Sequence, residues 1–261
     1  MAAHDPNPSP AAIGLIGDDR QTAVLATRLA MTGRRVLYHL LKSVPPPART
    51  PNLEAAATPT DIAFECAAVI LAVDDTARVR QLLLGTPDRA GLVAELRPGT
   101  IVIDTGVRLA RETQAFLGIL GTRGIGLVDA ALIGPSEACS SGTMTVFAGG
   151  FPDALEAAEP ILSAFGRVER TGPLGSAQTA AALMGYVEAA HVTARSEALA
   201  VGQALGLSSA TLTRVLQGIP DNQNIVQLNR SADLVRSLAE EKGLSADIIA
   251  FERRKRPTEN R

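Results

Sequence analysis

Short, unbroken apolar runs alternating with helix-patterned stretches set the fold class of this chain. Ala12 to Ile16 is such a run and closes on Gly17. Asp18 to Thr32 then carries Ala23, Leu25, Ala26, Leu29 and Ala30 at helical spacing and stops at Gly33. Val36 to Leu41, Ala67 to Val73 and Thr100 to Asp104 read as further strands, with helices expected over Thr60 to Cys66 and Thr76 to Leu84. Another such unit follows, with strands at Gly126 to Ala131 and Met144 to Ala148 and a helix over Asp153 to Ala164. Strands that are apolar on both faces must be covered on both faces, which a parallel sheet with crossover helices achieves.

At Ser176 the pattern changes. From there to Leu205 the chain has no proline, is rich in alanine and ends at Gly206, so one helix of about 30 residues, roughly 45 Å long, is expected. Ser208 to Gln217 and Ala232 to Lys242 continue as helices, and the domain boundary is expected near Gly172 to Gly175. Pro6, Pro8 and Pro10 make residues 1–10 a disordered or extended lead-in. Residues 251–261, with Arg253-Arg-Lys-Arg256, read as a solvated basic tail or as a contact patch.

The charge balance excludes several function classes. Among 261 residues, 25 basic side chains face 27 acidic ones, so no long-range field draws the chain to nucleic acid or to an anionic membrane surface. Cys66, Cys139, His4, His39 and His191 have no metal-ligand spacing, and no metal is expected. There is no apolar run of about 18 residues and no signal-peptide pattern at the N-terminus, so the expected location is cytoplasmic.

The turn after the first strand is where backbone N–H groups and a helix N-terminus would meet a dinucleotide pyrophosphate. Set against G-x-G-x-x-G, Gly17 fills the first position, Asp19 the second and Thr22 the third. Asp18 and Asp19 put carboxylates where phosphate would sit, with Arg20 able to offset one of them. The alternative is that Asp19 caps the helix, which stabilises it by about 1 kcal/mol. At the end of the second strand stand Leu40, Leu41 and Lys42. Two neutral residues and a lysine favour NADP over NAD, although a lysine there can equally be plain surface. Gly17, Asp19, Arg20, Gln21, Lys42, Val73 and Thr105 are the candidate cofactor contacts.

Several segments, in order, resemble the β-hydroxyacid dehydrogenases, which include 3-hydroxyisobutyrate and 6-phosphogluconate dehydrogenases and have imine reductases as relatives. They are Ile13-Gly-Leu-Ile-Gly17, Gly99-Thr-Ile-Val-Ile-Asp104, Val128-Asp-Ala-Ala-Leu-Ile-Gly134, Gly142-Thr-Met-Thr-Val-Phe-Ala-Gly-Gly150 and Gly172-Pro-Leu-Gly175 before a long helix with Glu197-Ala198-Leu199. The resemblance implies an α/β Rossmann-like N-terminal domain with a parallel sheet over residues 11–174. It further implies a long interdomain helix, an all-α C-terminal domain over residues 175–250 and a homodimer. Its implied substrate positions are Ile133, Gly134, Pro135, Ala181 and Gly185.

At those positions the chain departs from the family's active members. The lysine that acts as general acid or base falls on Ala181, the asparagine on Gly185, the serine of the substrate loop on Ile133, and one of its glycines is Pro135. Alanine cannot exchange a proton with a reacting oxygen, a step worth about 10²- to 10⁴-fold. The chain's three lysines, Lys42, Lys242 and Lys255, lie elsewhere. Glu188 is two turns beyond Ala181 on the same helix face and is the candidate catalytic residue. Its bland alternative is a solvated or arginine-paired side chain; His191 reads as a hydrogen-bonded packing residue and Tyr186 as an interface or pocket-wall side chain. Two functions stay open: an NAD(P)-dependent oxidoreductase acting on a small hydroxy acid, carbonyl or imine, or a non-catalytic dimeric binding or regulatory protein on the same fold.

Overall fold

The computed structural model describes residues 12–217 and Gly243. Strand β1 (Ala12–Gly17), helix α1 (Arg20–Met31), β2 (Val36–Leu40), β3 (Leu53–Ala55), α2 (Pro59–Glu65), β4 (Cys66–Ala72) and α3 (Thr76–Leu84) come first. A small hairpin of β5 (Gly85–Thr86) and β6 (Arg89–Ala90) leads to α4 (Leu92–Glu95), β7 (Ile101–Asp104) and α5 (Ala110–Leu120). Then follow β8 (Gly126–Ile133), α6 (Ser136–Ser141), β9 (Met144–Gly150), α7 (Pro152–Leu162), β10 (Gly166–Gly172), α8 (Ser176–Ala204) and α9 (Ser209–Gln217).

The main sheet has the order β10-β9-β8-β7-β4-β1-β2-β3. Its pairs are parallel except β8 with β9, which run antiparallel with Val128 opposite Gly150 and Ile133 opposite Thr145. The sheet is parallel, as expected, but for this one pair. A parallel return needs a crossover of a dozen or more residues, and the short link around α6 does not supply one.

Period-two alternation sends each strand's side chains to two separate cores. Ile13, Leu15, Ile70 and Ile103 pack with α1 and α7 on one face, and Ile16, Val69, Leu71 and Val102 with α2, α3, α4 and α5 on the other. Gly14 lets α2 lie close on β1, since a Cβ there would stand 2.1 Å from Ile62 Cγ2. The caps are local: Thr58 and Asp61 form a reciprocal capping box on α2, and Asp75 accepts the N–H groups of Ala77 and Arg78 at the start of α3.

The chain divides between Ala182 and Leu183 into two compact units. The first holds the sheet and the opening turns of α8; the second begins within α8 and includes α9. In the second, Leu212 packs over Gly202, where a Cβ would come 2.4 Å from Leu212 Cδ2. Gly172 to Gly175, where the domain boundary is expected, span the end of β10 and the start of α8, whereas the two compact units part within α8. The lead-in 1–10, the helix expected over Ala232 to Lys242 and the tail 251–261 lie outside the described residues. Among the described residues, no helix is long and apolar enough to cross a membrane, and no cluster of His, Cys, Asp and Glu could hold a metal ion.

Candidate functional site

From β1 the chain passes to β2 and β3 on one side and, through β4, to β7 on the other. Strand order therefore reverses between β1 and β4, and the crevice beyond their carboxyl ends is where an open α/β sheet binds ligands. Gly17 sits at its base. A Cβ on Gly17 would stand 2.1 Å from Thr22 Oγ1 and 2.8 Å from the Ala72 carbonyl oxygen. The close strand–helix approach made by a third glycine in G-x-G-x-x-G is thus made here by Gly17 against a buried Thr22.

Both carboxylates of the turn are engaged. Asp19 is the N-cap of α1, and its Oδ1 accepts from the Thr22 N–H and from Thr22 Oγ1, each at 2.9 Å. Asp18 Oδ2 lies 2.7 Å from Lys42 Nζ. Its charge is offset by Lys42, from the end of β2, and not by the neighbouring Arg20, which is exposed with Gln21 at the start of α1. Because the first N–H groups of a helix have no partner within it, those of Arg20 and Gln21 stay at the mouth of the crevice once Asp19 takes Thr22's.

The opposite wall is built from the loops after β4 and β7. Thr105 donates to the Leu71 carbonyl oxygen from both its N–H, at 2.9 Å, and its hydroxyl, at 3.1 Å. Arg108 is buried and binds the two loops together. One terminal nitrogen donates to Asp104 Oδ1 at 2.9 Å and to the Val73 carbonyl oxygen, and the other donates to Thr76 Oγ1 at 3.3 Å. Its Nε lies 2.8 Å from Asp104 Oδ2 without hydrogen-bond alignment, so that contact is ionic only. Phe116 lies beneath the guanidinium, 5.5 Å from its ring centre. Asp74 accepts the Val107 N–H at 2.8 Å. Gly106 makes the arrangement possible, since a Cβ there would come 2.1 Å from the Arg108 guanidinium and 2.2 Å from the Val73 carbonyl oxygen. Burial pushes the Asp104 carboxyl above its ordinary range, opposed chiefly by the Arg108 charge.

Beyond the carboxyl end of β2 lies a cavity of about 490 Å³ between α2, α3 and the β5–β6 hairpin. His39, Arg78 and Arg89 line it, and no carboxylate does. Arg78 donates to the Leu41 carbonyl oxygen at 3.0 Å, which holds its guanidinium at the end of β2.

A second buried carboxylate anchors the start of α8. Asp129, in the middle of β8, accepts the Gly175 N–H at 2.7 Å, the Gln178 N–H at 3.1 Å and the Ala177 N–H. Gln178 Nε2 donates to the Ala130 carbonyl oxygen at 3.3 Å. Gly149 leaves room for this, since a Cβ there would come 2.6 Å from both Asp129 Oδ1 and Ser176 Oγ. Burial pushes the Asp129 carboxyl up, against the pull of the three amides.

Ile133 closes β8, half-buried; Gly134 has φ +141° and Pro135 is the N-cap of α6. Ala181, half-buried, falls in the first unit, while Gly185 and the exposed Glu188 fall in the second. Cys66 and Cys139 are buried thiols, and burial pushes Cys66 up to about 12, so neither is a nucleophile at neutral pH. Sequence reasoning missed Arg108, Asp104, Asp129 and the Asp18–Lys42 pair. Asp104 and Asp129 carried one signal, a lone carboxylate inside an otherwise apolar strand, which must find partners when buried.

Residues 12–182 match the family model of the NAD binding domain of 6-phosphogluconate dehydrogenase. The chain belongs to this family. Among its relatives, an NAD-dependent L-serine dehydrogenase of Pseudomonas aeruginosa is 28% identical over 207 residues, covering 78% of this chain and 68% of that protein. A probable mitochondrial 3-hydroxyisobutyrate dehydrogenase of Arabidopsis thaliana is 27% identical over 216 residues, covering 78% of this chain and 62% of that one. In fold, the chain is similar to an imine reductase of Myxococcus stipitatus, a V8 variant in complex with NAD+, with a TM-score of 0.75 at 16% identity, covering 93% of this chain and 91% of that one.

The crevice fits the family's dinucleotide. Strand order reverses at the right place, the wall from Val73 to Arg108 is rigidly tied, and the two carboxylates of the turn are absorbed by Thr22 and Lys42. The departure lies at Asp19, whose side chain takes part of the helix N-terminus that a second glycine would leave to phosphate.

Proposed function

We propose that this chain is an NAD(P)-dependent dehydrogenase or reductase of a small hydroxy acid, carbonyl or imine, with NADP preferred over NAD. The observation that carries the reading is the crevice where strand order reverses, with Gly17 at its base and the wall tied by Arg108 beside it. When bound, the nicotinamide supplies the hydride acceptor or donor. The residues that would hold it are the Arg20 and Gln21 amides for the pyrophosphate, Lys42 and Arg78 for the adenosine end, and Val73 and Thr105 for the ring. Ile133, Gly134, Pro135, Ala181 and Gly185 are the proposed substrate positions. With alanine at 181, the proton leaving or joining the substrate oxygen or nitrogen is relayed by Glu188 or by water.

Coupled spectrophotometric assays at the nicotinamide band, run on a panel of small 3-hydroxy acids, carbonyls and cyclic imines, test this. Glu188→Gln is expected to lower kcat by about 10²-fold or more, the size of a lost general acid or base. A fully active Glu188→Gln variant would exclude that role. A second reading, a non-catalytic binding or regulatory protein, is favoured by Ala181 and by the Asp19 cap. Cofactor binding without turnover on any panel member would support it.

A further inference from the structure

We infer that Asp18 sets the balance between NADP and NAD by competing with the cofactor for Lys42; this rests on the cofactor reading above. The two nucleotides differ only at the ribose 2′ position, which in this fold lies beyond the end of β2. That is where the structure places Lys42, with Asp18 Oδ2 at 2.7 Å from its Nζ. Asp18 is mostly shielded, its side chain 13% exposed, while Lys42 is 57% exposed. The carboxylate is therefore the fixed member of the pair and the lysine the one a ligand can reach.

The end of β2 offers no acid of its own, only Leu40, Leu41 and Lys42. Asp18 reaches over from the turn after β1 and supplies one. A ribose 2′-hydroxyl is uncharged and leaves the Lys42–Asp18 pair intact. A 2′-phosphate, carrying nearly two negative charges, must draw Lys42 away and then stand beside an uncompensated Asp18. The adjoining cavity is lined by Arg78 and Arg89 and by no carboxylate. Asp18 is thus the carboxylate held against Lys42 at this end of the crevice, and it works against the phosphate the basic groups attract.

Fluorescence titration of the full chain with NADPH and with NADH tests the inference, with dissociation constants for the wild type, Asp18→Asn, Asp19→Asn and Lys42→Met. Asp18→Asn is expected to move the NADPH-to-NADH preference about tenfold toward NADPH, the effect of removing one unit charge at contact distance near a surface. Lys42→Met, at an exposed position, is expected to weaken NADPH about tenfold more than NADH, since it removes the phosphate's counter-ion. Asp19→Asn, which alters the α1 cap near the pyrophosphate common to both nucleotides, moves both alike. Equal shifts for both nucleotides in Asp18→Asn, or a shift toward NADH, would overturn the assignment of Asp18 and leave the cofactor reading standing. Binding of neither nucleotide by any of the four proteins would overturn the cofactor reading and this inference with it.

Discussion

Arg108 is the most heavily committed side chain beside the crevice, and its energetics are those of a buried ion pair. Neither it nor Asp104 has any exposed side-chain surface, so each depends on the other to repay the loss of water. Replacing Arg108 by Met leaves the Asp104 carboxylate buried without its counter-ion and is expected to destabilise the fold by about 3–5 kcal/mol in urea unfolding. The double variant Asp104→Asn with Arg108→Met is expected to lose clearly less than Arg108→Met alone. Equal losses would mean that the guanidinium acts only through the Val73 and Thr76 contacts. At the same scale, Asp19 shows why a motif scan misjudges this turn. Its carboxylate reads as a defect in a phosphate loop, yet with Thr22 it forms a complete helix cap.

At the scale of elements, Asp129 joins β8 to α8 by accepting three amides of the helix's opening turn. Asp129→Ala leaves those amides unpaired and is expected to lower stability by about 1–3 kcal/mol. It should also speed hydrogen exchange at Gly175, Ala177 and Gln178; unchanged exchange there would show that the turn is held by other contacts. The elements most legible in the sequence were those buried on both faces, such as β4 with its run Ala-Ala-Val-Ile-Leu. α3 and α8 were legible from periodicity and the absence of breakers. Missed elements had mixed surroundings. β10 is an edge strand with Arg167, Glu169 and Arg170 along it, so no apolar run marks it. α5 has no polar N-cap and contains Gly118, and only Thr113, Phe116 and Leu120 are buried. The antiparallel turn of β8 into β9 has no local signature beyond its short link. In the site, the glycine positions were legible, but Asp18 with Lys42, 24 residues apart, and Arg108 with Val73 are tertiary pairings that spacing does not encode.

For the whole molecule, the account is of a nucleotide-binding sheet unit joined through α8 to a helical unit. Leu183, Met184 and Val187 are exposed apolar side chains within one turn of α8, and we propose that they are covered in a homodimer, as exposed apolar patches normally are. Sedimentation velocity is expected to show a dimer at micromolar concentration; a monomer throughout would count against it. The crevice between β1 and β4 is proposed to receive a nicotinamide dinucleotide although Asp19 caps α1 and Ala181 stands where the family resemblance places a lysine. Titration of the wild-type chain with NADPH and NADH, followed by calorimetry or nucleotide fluorescence, tests it most directly. Saturable binding of one equivalent per chain in the micromolar range is the result predicted, and no binding of either nucleotide at millimolar concentration would contradict it.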